Sequence, residues 1–544
     1  MVQAISAPQT RRSVIEHGPR LALVTFGVLL ATLLELIDTT IVNVALPYIE
    51  GNLGASIEEG TFIVTGYIVA NIVVLPMTPW LQRRFGRRQY YLSSIAIFTA
   101  ASIMCGLSGS LEQLVFWRII QGFGGGGLIS TSQAILRETF PPEKAAMAQG
   151  IFGVGAIVGP SIGPVLGGVL TDNLSWQWVF FVNLPIGLAA FAIIWNTLRN
   201  PESPVKLPFD YVGVTLLAIG FGALQFVLDQ GQEKDWFSSE AIAWTAAVSV
   251  VALAVFVWYE LYGTSQPAVD LRILRNPTVT AGSLLGACLG VSLLGSLITL
   301  PAFVQGQLGF TATLAGETIL FRALAIMALM PLGTFLSRKM NPVVQVAAGF
   351  TILGISNLWL AAITTTETSY WSFAGPLILS GTGLSQIFIP ISVTVFGSVA
   401  LRDIPKASAM YNLMRQLGGS IATGFLVTLI ARQAAAHQTA LSANVTLASP
   451  MVRAYAETRG GVDAPAVRAA LGGLVVAQST TLAYADTARD VGLLTFAFIP
   501  LVLLLRRPIV VVEVEPVRQA LAAPLAARPF PGSAPAPSES VLSG

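Results

Sequence analysis

Charge is what this sequence has least of. Only 11% of its 544 residues are Asp, Glu, Lys or Arg, against 54% hydrophobic residues and a mean hydropathy of +0.71. A water-facing surface usually draws on about 25% charged residues. The length alone would allow three or four soluble domains, and this composition excludes them. The charge that exists is balanced, 30 Lys and Arg against 28 Asp and Glu, which leaves no basic field for nucleic acid. Cysteine is nearly absent: Cys105 and Cys288 lie far apart in apolar segments and fit neither a disulfide framework nor a zinc site. The two histidines, His17 and His437, fall outside the apolar runs, so a histidine proton relay is not expected. There is no Walker A sequence to bind ATP and no selectivity-filter signature of a channel. The chain reads as an integral membrane protein that needs no metal and no cofactor and is not an enzyme.

What is present is a series of long apolar runs. A bilayer core of about 30 Å asks for roughly 20 apolar residues per helix. Such runs fall near 21–47, 58–81, 89–108, 112–136, 145–171, 178–198, 210–229, 240–262, 277–304, 313–336, 342–363, 372–400, 406–431 and 484–505, fourteen in all. The first is too long for a signal-peptide core and is followed by no cleavage site. With the N-terminus inside, the cationic clusters fall on one side: Arg11, Arg12 and Arg20, then Arg83, Arg84, Arg87 and Arg88, then Arg338 and Lys339, then Arg506 and Arg507. Cytoplasmic loops hold such an excess, which places both termini in the cytoplasm. The segment 432–483 then lies outside, too polar to span, and Ala464 to Gln478 within it is expected to form a helix lying at the interface.

The chain also repeats itself. Pro76, Trp80, Leu81, Arg83 and Arg84 recur as Pro331, Phe335, Leu336, Arg338 and Lys339 at a constant offset of 255. Gly122 and Gly124 match Gly381 and Gly383, and Pro142 to Ala145 matches Pro405 to Ala407. The second, fourth and fifth runs therefore map onto the tenth, twelfth and thirteenth. The expected architecture is an all-α membrane fold of two six-helix bundles, parallel repeats about an axis along the membrane normal, with two inserted helices. Its parts are a cytoplasmic N-terminal tail 1–20, a first bundle 21–198, a linker 199–276 with the two extra helices, a second bundle 277–505 that includes the outer segment 432–483, and a disordered cytoplasmic tail 506–544.

Charges inside the runs stand out, because each costs about 2.5–3.5 kcal/mol at a helix centre. Glu35 and Asp38, three apart, share one face of the first helix. Two readings stand for them: carboxylates that gain and lose protons or hold substrate as their solvation changes, or partners in a structural ion pair with a membrane arginine such as Arg118. That arginine needs an acidic or carbonyl partner, and it precedes a glycine run, Gly122 to Gly127, that lets another backbone approach. The fifth run carries Gly159, Pro160, Gly163, Pro164 and Gly167, which read either as a packing ridge or as a bendable seam between bundles. In the second half, Glu317 and Arg322 are five apart and share a face poorly, while Asn412, Arg415 and Gln416 form a polar patch at i, i+3 and i+4.

These residues resemble a known family. Leu36 to Pro47, reading Leu-Ile-Asp-Thr-Thr-Ile-Val-Asn-Val-Ala-Leu-Pro, is similar to the first-helix signature of drug:proton antiporters of the major facilitator superfamily. Arg118 to Gly127 resembles that family's fourth-helix motif, and Gly155 to Gly168 its antiporter motif on the fifth helix. Trp176 to Gly187, Leu228 to Gly231 and Asp235 to Ser239 resemble the fourteen-spanning EmrB/QacA subfamily. In the loop after the second helix, Leu81, Gly86, Arg87 and Arg88 match the family's Gly-x-Leu-x-Asp-Arg-x-Gly-Arg-Arg, but Pro79 stands for its glycine and Arg83 for its aspartate. The resemblance implies proton-driven export of amphipathic, often cationic, drugs or toxic compounds across a bacterial inner membrane. It gives Asp38 and Arg118 to proton coupling and substrate, and the loop and fifth-helix motifs to gating; Glu35 lies outside the strict motif, and its part in proton coupling or substrate rests on its position alone. It also implies a periplasmic adaptor that hands substrate to an outer-membrane channel. Export of one endogenous metabolite, siderophore or lipid would use the same machinery. A membrane sensor is disfavoured because the tails are too short and Pro-rich for an output domain.

Overall fold

Helix after helix opens on the residue type its exposed backbone donors demand. In the computed structural model, which describes residues 15–200, 204–205, 207–446, 449–459, 461 and 464–505, Ser56 accepts from the Glu59 N–H while the Glu59 carboxylate accepts from the Ser56 N–H, closing a capping box. Asp210, Asn276, Thr311 and Asn341 cap other helices through their side-chain oxygens. The tail expected over 506–544 and residues 1–14 of the N-terminal tail lie outside the described residues.

The helices in chain order are α1 (Gly18–Leu53), α2 (Ile57–Phe85), α3 (Arg87–Gly106), α4 (Leu111–Gly125), α5 (Leu128–Thr139), α6 (Ala145–Asn173), α7 (Trp178–Phe181), α8 (Asn183–Thr197), α9 (Tyr211–Gln230), α10 (Glu240–Trp258), α11 (Pro277–Gly306), α12 (Ala312–Lys339), α13 (Pro342–Ile363), α14 (Ala374–Gly397), α15 (Ile404–Asn444), α16 (Pro450–Glu457) and α17 (Pro465–Ala497). Every apolar run of the sequence is helical. By length and composition, eleven helices among the described residues can cross a membrane, and Pro277–Leu293 is a shorter apolar helix. The expected count of fourteen is not reached on that measure. One reason is that the run 112–136 is split into α4 and α5, of 15 and 12 residues.

The split follows from the glycine run. A side chain at Gly122 or Gly126 would strike the carbonyls of Tyr67 and Asn71 on α2, and one at Gly124 would strike the Phe98 backbone on α3. Glycine lets three backbones touch there, and helical continuity gives way to that approach.

The repeat is visible in the packing. In the first half α1 lies on α6, α2 on α4 and α3 on α8; in the second, α11 lies on α15, α12 on α14 and α13 on α17. The halves meet along α6 and α12, and again along α2 and α15. The inserted helices α9 and α10 pack on each other, with α9 against α2.

The outer segment departs from expectation. The helix predicted over Ala464–Gln478 exists, but it runs unbroken into the last span as α17 instead of lying along the membrane surface. Its partner α15 has 41 residues, a length of about 60 Å, twice the hydrocarbon thickness of about 30 Å. The two helices are bonded side by side where Gln433 donates to Asp490 at 3.0 Å, Thr487 donates to Gln433 at 3.0 Å and His437 meets Asp486 at 2.8 Å. These bonds tie α15 at Gln433 and His437 to α17 at Asp486, Thr487 and Asp490.

Candidate functional site

The middle of α1 sits between three sets of neighbours, and each of its faces has a different task. Toward α4 and α8 it presents Asp38, which is fully buried. Arg118 Nη1 donates to Asp38 Oδ2 at 2.6 Å, while Gln121 Nε2 and Asn183 Nδ2 donate to Oδ1 at 2.8 and 2.9 Å. The guanidinium is held from other sides as well. Its Nη1 also donates to Gln121 Oε1 at 2.8 Å and its Nε to the Ile63 carbonyl at 3.2 Å. Tyr67 lies beneath it, 4.3 Å from ring centre to Cζ, a cation–π contact that substitutes for water. Arg118 and Asp38 are 1% and 0% exposed, so breaking the pair strands a charge in an apolar interior.

Toward α2 and α5 the same helix presents Glu35, also buried. Asn71 Nδ2 donates to its Oε1 at 2.8 Å, and the Ile129 N–H donates to Oε2 at 3.1 Å. That backbone donor exists because α5 restarts at Leu128 after the glycine break, leaving its first N–H groups without helical partners.

Toward α6 the helix presents backbone at Ile37 and Ile41 and the Leu36 side chain one turn before. Gly159, Gly163 and Gly167, one turn apart, face Leu36, Ile37 to Thr40, and Ile41 respectively. Pro160 and Pro164 lie within the same stretch of α6 and each removes a helical hydrogen bond. Elsewhere along α6, Gly150 and Gly153 contact Thr334, Met330 and Phe388 of the second half. One helix therefore touches α1 closely and also forms the seam between bundles.

A second polar network crosses that seam. Gln133 of α5 accepts from Asn412 Nδ2 at 2.7 Å and from Ser408 Oγ at 3.0 Å, and Ser408 also donates to the Ser130 carbonyl or to Gln133 as its hydroxyl rotates. Gln133 in turn donates to Gln149 on α6 and to Ser392 on α14, at 3.2 and 3.5 Å. All of these residues are buried. Nearby, the α2–α3 turn is fixed by Gly86, whose φ of 85° suits glycine alone. Arg87 makes a bidentate pair with Glu138 at the end of α5, at 2.7 and 3.0 Å. Arg88 donates to the Trp195 carbonyl, and Leu81 is partly buried against the α2–α9 core.

The structure thus brings Asp38, Arg118 and the glycine motif together, with Glu35 one turn along. Arg322 is buried in α12 and Glu317 half-buried a turn and a half away; neither reaches Asp38, whose oxygens are taken by Arg118, Gln121 and Asn183. Asn412 joins the seam network, and Arg415 lies buried one turn further along α15. Sequence reasoning missed Asn71, Gln133, Gln149 and Glu138. A lone amide inside an apolar run was the only signal for the first three. Gln121 and Asn183 lay inside recognised motifs without a role of their own.

Two repeated bundles with a buried acid–arginine pair and a glycine seam define a membrane transporter of the rocking type. The family model of the Major Facilitator Superfamily matches residues 28–423, and the chain belongs to that family. It is 35% identical to the multidrug export protein EmrB of Haemophilus influenzae over 81% of this chain and 86% of that protein. It is 34% identical to EmrB of Escherichia coli K12, over 82% and 87%, and 34% identical to the fatty acid resistance protein FarB of Neisseria gonorrhoeae, over 79% and 84%. The crystal structure of the human organic anion transporter MFSD10 has the same fold, with a TM-score of 0.53 at 14% identity, covering 89% of this chain and all of that one.

Proposed function

We propose that this multi-pass membrane protein is a proton-driven exporter of amphipathic toxic compounds, with Asp38 as the coupling acid. The observation that carries the reading is the fully buried Asp38–Arg118 pair, set on the helix that the glycine seam of α6 touches. A proton reaching Asp38 cancels its charge and weakens its hold on Arg118. The same proton changes what α1 offers to the neighbouring helices, and rocking of one bundle against the other follows. The relatives named for multidrug export support this direction and substrate range. The driving force is adequate: about 2.3 kcal/mol per charge per 100 mV, with about 1.4 kcal/mol more for each pH unit.

On this reading the protein sits in a bacterial inner membrane with the α2–α3 turn and both termini on the cytoplasmic side, an orientation that the positive-inside bias of the cationic clusters supports. The Gln133 network then closes the cytoplasmic end, and inward opening requires its bonds to part. The outer hairpin of α15 and α17 is the natural seat for a periplasmic adaptor. The test is dye efflux in energised inverted vesicles with and without a protonophore. Wild-type efflux should collapse with the protonophore, and Asp38→Asn should show none while remaining in the membrane. Proton-driven efflux by Asp38→Asn at a near-wild-type rate would remove the assignment.

A further inference from the structure

The inserted pair of α9 and α10 carries two buried carboxylates for which the Asp38 network has no use. Asp210 caps α9, its Oδ1 accepting from the Gly213 N–H at 2.8 Å, and its Oδ2 accepts from the Ala268 N–H at 3.3 Å. Glu260 lies on a π-helical turn, Tyr259–Gly263, that extends α10, and its Oε1 accepts from the Val269 N–H at 3.4 Å. A Cβ at Gly213 would lie 2.6 Å from Asp210 Oδ2 and 2.6 Å from Glu260 Oε1, so the two oxygens are at most twice that distance apart. Glu260 is 0% exposed, and its Oε2 has no hydrogen-bond partner among the described residues. Two cations of this region are engaged elsewhere. Lys406 pairs with Asp270 and Asp403, and Arg272 Nη2 donates to the Leu261 and Thr264 carbonyls. Adjacent buried acids are costly unless a positive group joins them.

Beside Asp210 opens a cavity of about 290 Å³, lined among others by Phe209, Tyr211, Tyr259, Thr264 and Gln266. Its walls are aromatic as well as acidic. Phe209 and Tyr211 stand edge to face with ring centres 4.7 Å apart, and the faces of such rings attract cations. Arg272 is exposed and bonded to the Thr264 carbonyl, which puts a positive charge at the rim. The volume suits a head group, since sites for drug-sized ligands run from about 300 to 1,000 Å³. The place is a membrane boundary: α9 begins and α10 ends here, and Trp80 near the end of α2 donates to the Pro208 carbonyl at 3.2 Å. Tyr211 and Tyr262 are 74% and 76% exposed, as in the aromatic belts at a bilayer surface.

We propose that this cavity takes the zwitterionic head group of a membrane lipid bearing a primary ammonium, with the ammonium against Asp210 and Glu260 and the phosphate toward Arg272. An ammonium donates charged N–H bonds to both carboxylates; a trimethylated nitrogen has no N–H, and a glycerol head has no charge to offer. A head group so held ties the start of α9 to the end of α10. The site lies apart from the Asp38 network and does not depend on the export reading.

The full-length protein, purified in a nonionic detergent, is titrated with dihexanoyl phosphatidylethanolamine and with its choline and glycerol counterparts, and binding is read from the rise in unfolding temperature. The wild type should bind the ethanolamine lipid about 10–100-fold more tightly than either counterpart, the range of a charge-assisted hydrogen bond. Asp210→Asn keeps the cap, since asparagine caps a helix as well as aspartate does, and should bring that ratio close to one. Glu260→Gln should lower it as well, and it decides where Asp210→Asn does not fold. Free O-phosphorylethanolamine should compete about tenfold or more less strongly than the lipid, for want of acyl chains. Equal binding of the three lipids by the wild type overturns the proposal. So does an unchanged ratio in Asp210→Asn, or in Glu260→Gln where that variant decides. Competition by the free head group at the lipid's own strength overturns the lipid as ligand and leaves a soluble amine in its place.

Discussion

Replacing Gly163 by alanine puts one carbon where there is no room for it. The new Cβ would lie 2.9 Å from the Ile37 carbonyl oxygen and 3.1 Å from the Ile41 nitrogen, and would overlap the Thr40 hydroxyl. The hydroxyl can rotate away; the two backbone atoms cannot. The contact is relieved only if α6 and α1 separate by several tenths of an ångström over the turn that carries Asp38. Overpacking of this kind costs about 1–3 kcal/mol. Three other glycines calibrate the effect. Gly167 would meet the Ile41 carbonyl at 2.8 Å and should behave alike, while Gly155 meets only the end of the Leu29 side chain at 3.3 Å and should tolerate alanine. Gly472, exposed on α17 with nothing within 4 Å, should be stabilised, by about 0.5–1 kcal/mol, since alanine is the better helix former. Thermal unfolding of the purified variants gives the stability order, and dye efflux in vesicles gives the activity order. Expected in both is Gly472→Ala at or above wild type, Gly155→Ala near it, and Gly163→Ala and Gly167→Ala clearly below. A Gly163→Ala protein as stable and active as Gly472→Ala would refute the close-contact argument.

Arg118→Lys keeps the charge but has one nitrogen where the guanidinium uses two, so it cannot serve Asp38, Gln121 and the Ile63 carbonyl together; efflux should fall at least tenfold with membrane insertion intact, as vesicle assays and immunoblots would report. Arg87→Ala leaves the Glu138 carboxylate buried without its bidentate partner and should cost about 3–5 kcal/mol; adding Glu138→Ala should restore part of the lost thermal stability, and a double variant less stable than the single would contradict the pairing. Gln133→Ala removes the acceptor shared by Asn412 and Ser408, two bonds of about 1 kcal/mol each. The population open on that side should rise about tenfold or more, read as a longer spin-label distance across the α5–α15 end, and an unchanged distance distribution would show that the network does not hold it shut.

The fold class was legible because long apolar runs and a spaced repeat are properties of the chain itself. The break between α4 and α5 was not, since Gly122 to Gly127 signals close approach without saying which backbones come close. The interface helix predicted at Ala464 went wrong for a similar reason: amphipathic character was visible, but not that the helix runs on without a break into the last span. Asp38 and Arg118 could be singled out because charge is so rare within the runs. Their supporting amides could not. Gln121, Asn183 and Asn71 look like the uncharged residues that glue any membrane helix pair, and only the assembled helices show that three of their donors converge on two carboxylates. Arg83 in place of the family's aspartate warned that the ion pair at the α2–α3 turn is built differently here. That Glu138 supplies the acid is a fact of tertiary structure.

The choice of asparagine as the test at Asp38 follows from those amides. Arg118, Gln121 and Asn183 all point donors at the carboxylate, and a carboxylate accepts from every side. An asparagine accepts on one side only. Whichever way its amide turns, its NH2 faces at least one donor, Arg118 or the amides, and that contact becomes unfavourable. A proton on Asp38 differs in one respect, because the acid's hydroxyl can turn toward Gln121 Oε1, which already lies within the network. Protonation thus leaves an acceptor for each donor that matters, whereas the substitution leaves a donor facing a donor. The protonated acid is a state the site can enter and leave, and asparagine is one it cannot relax. On the proposed reading, this separates a coupling carboxylate from a merely structural one. A structural acid would lose stability and transport together in Asp38→Asn, while a coupling acid would lose proton-driven efflux first and keep passive exchange of substrate across the membrane.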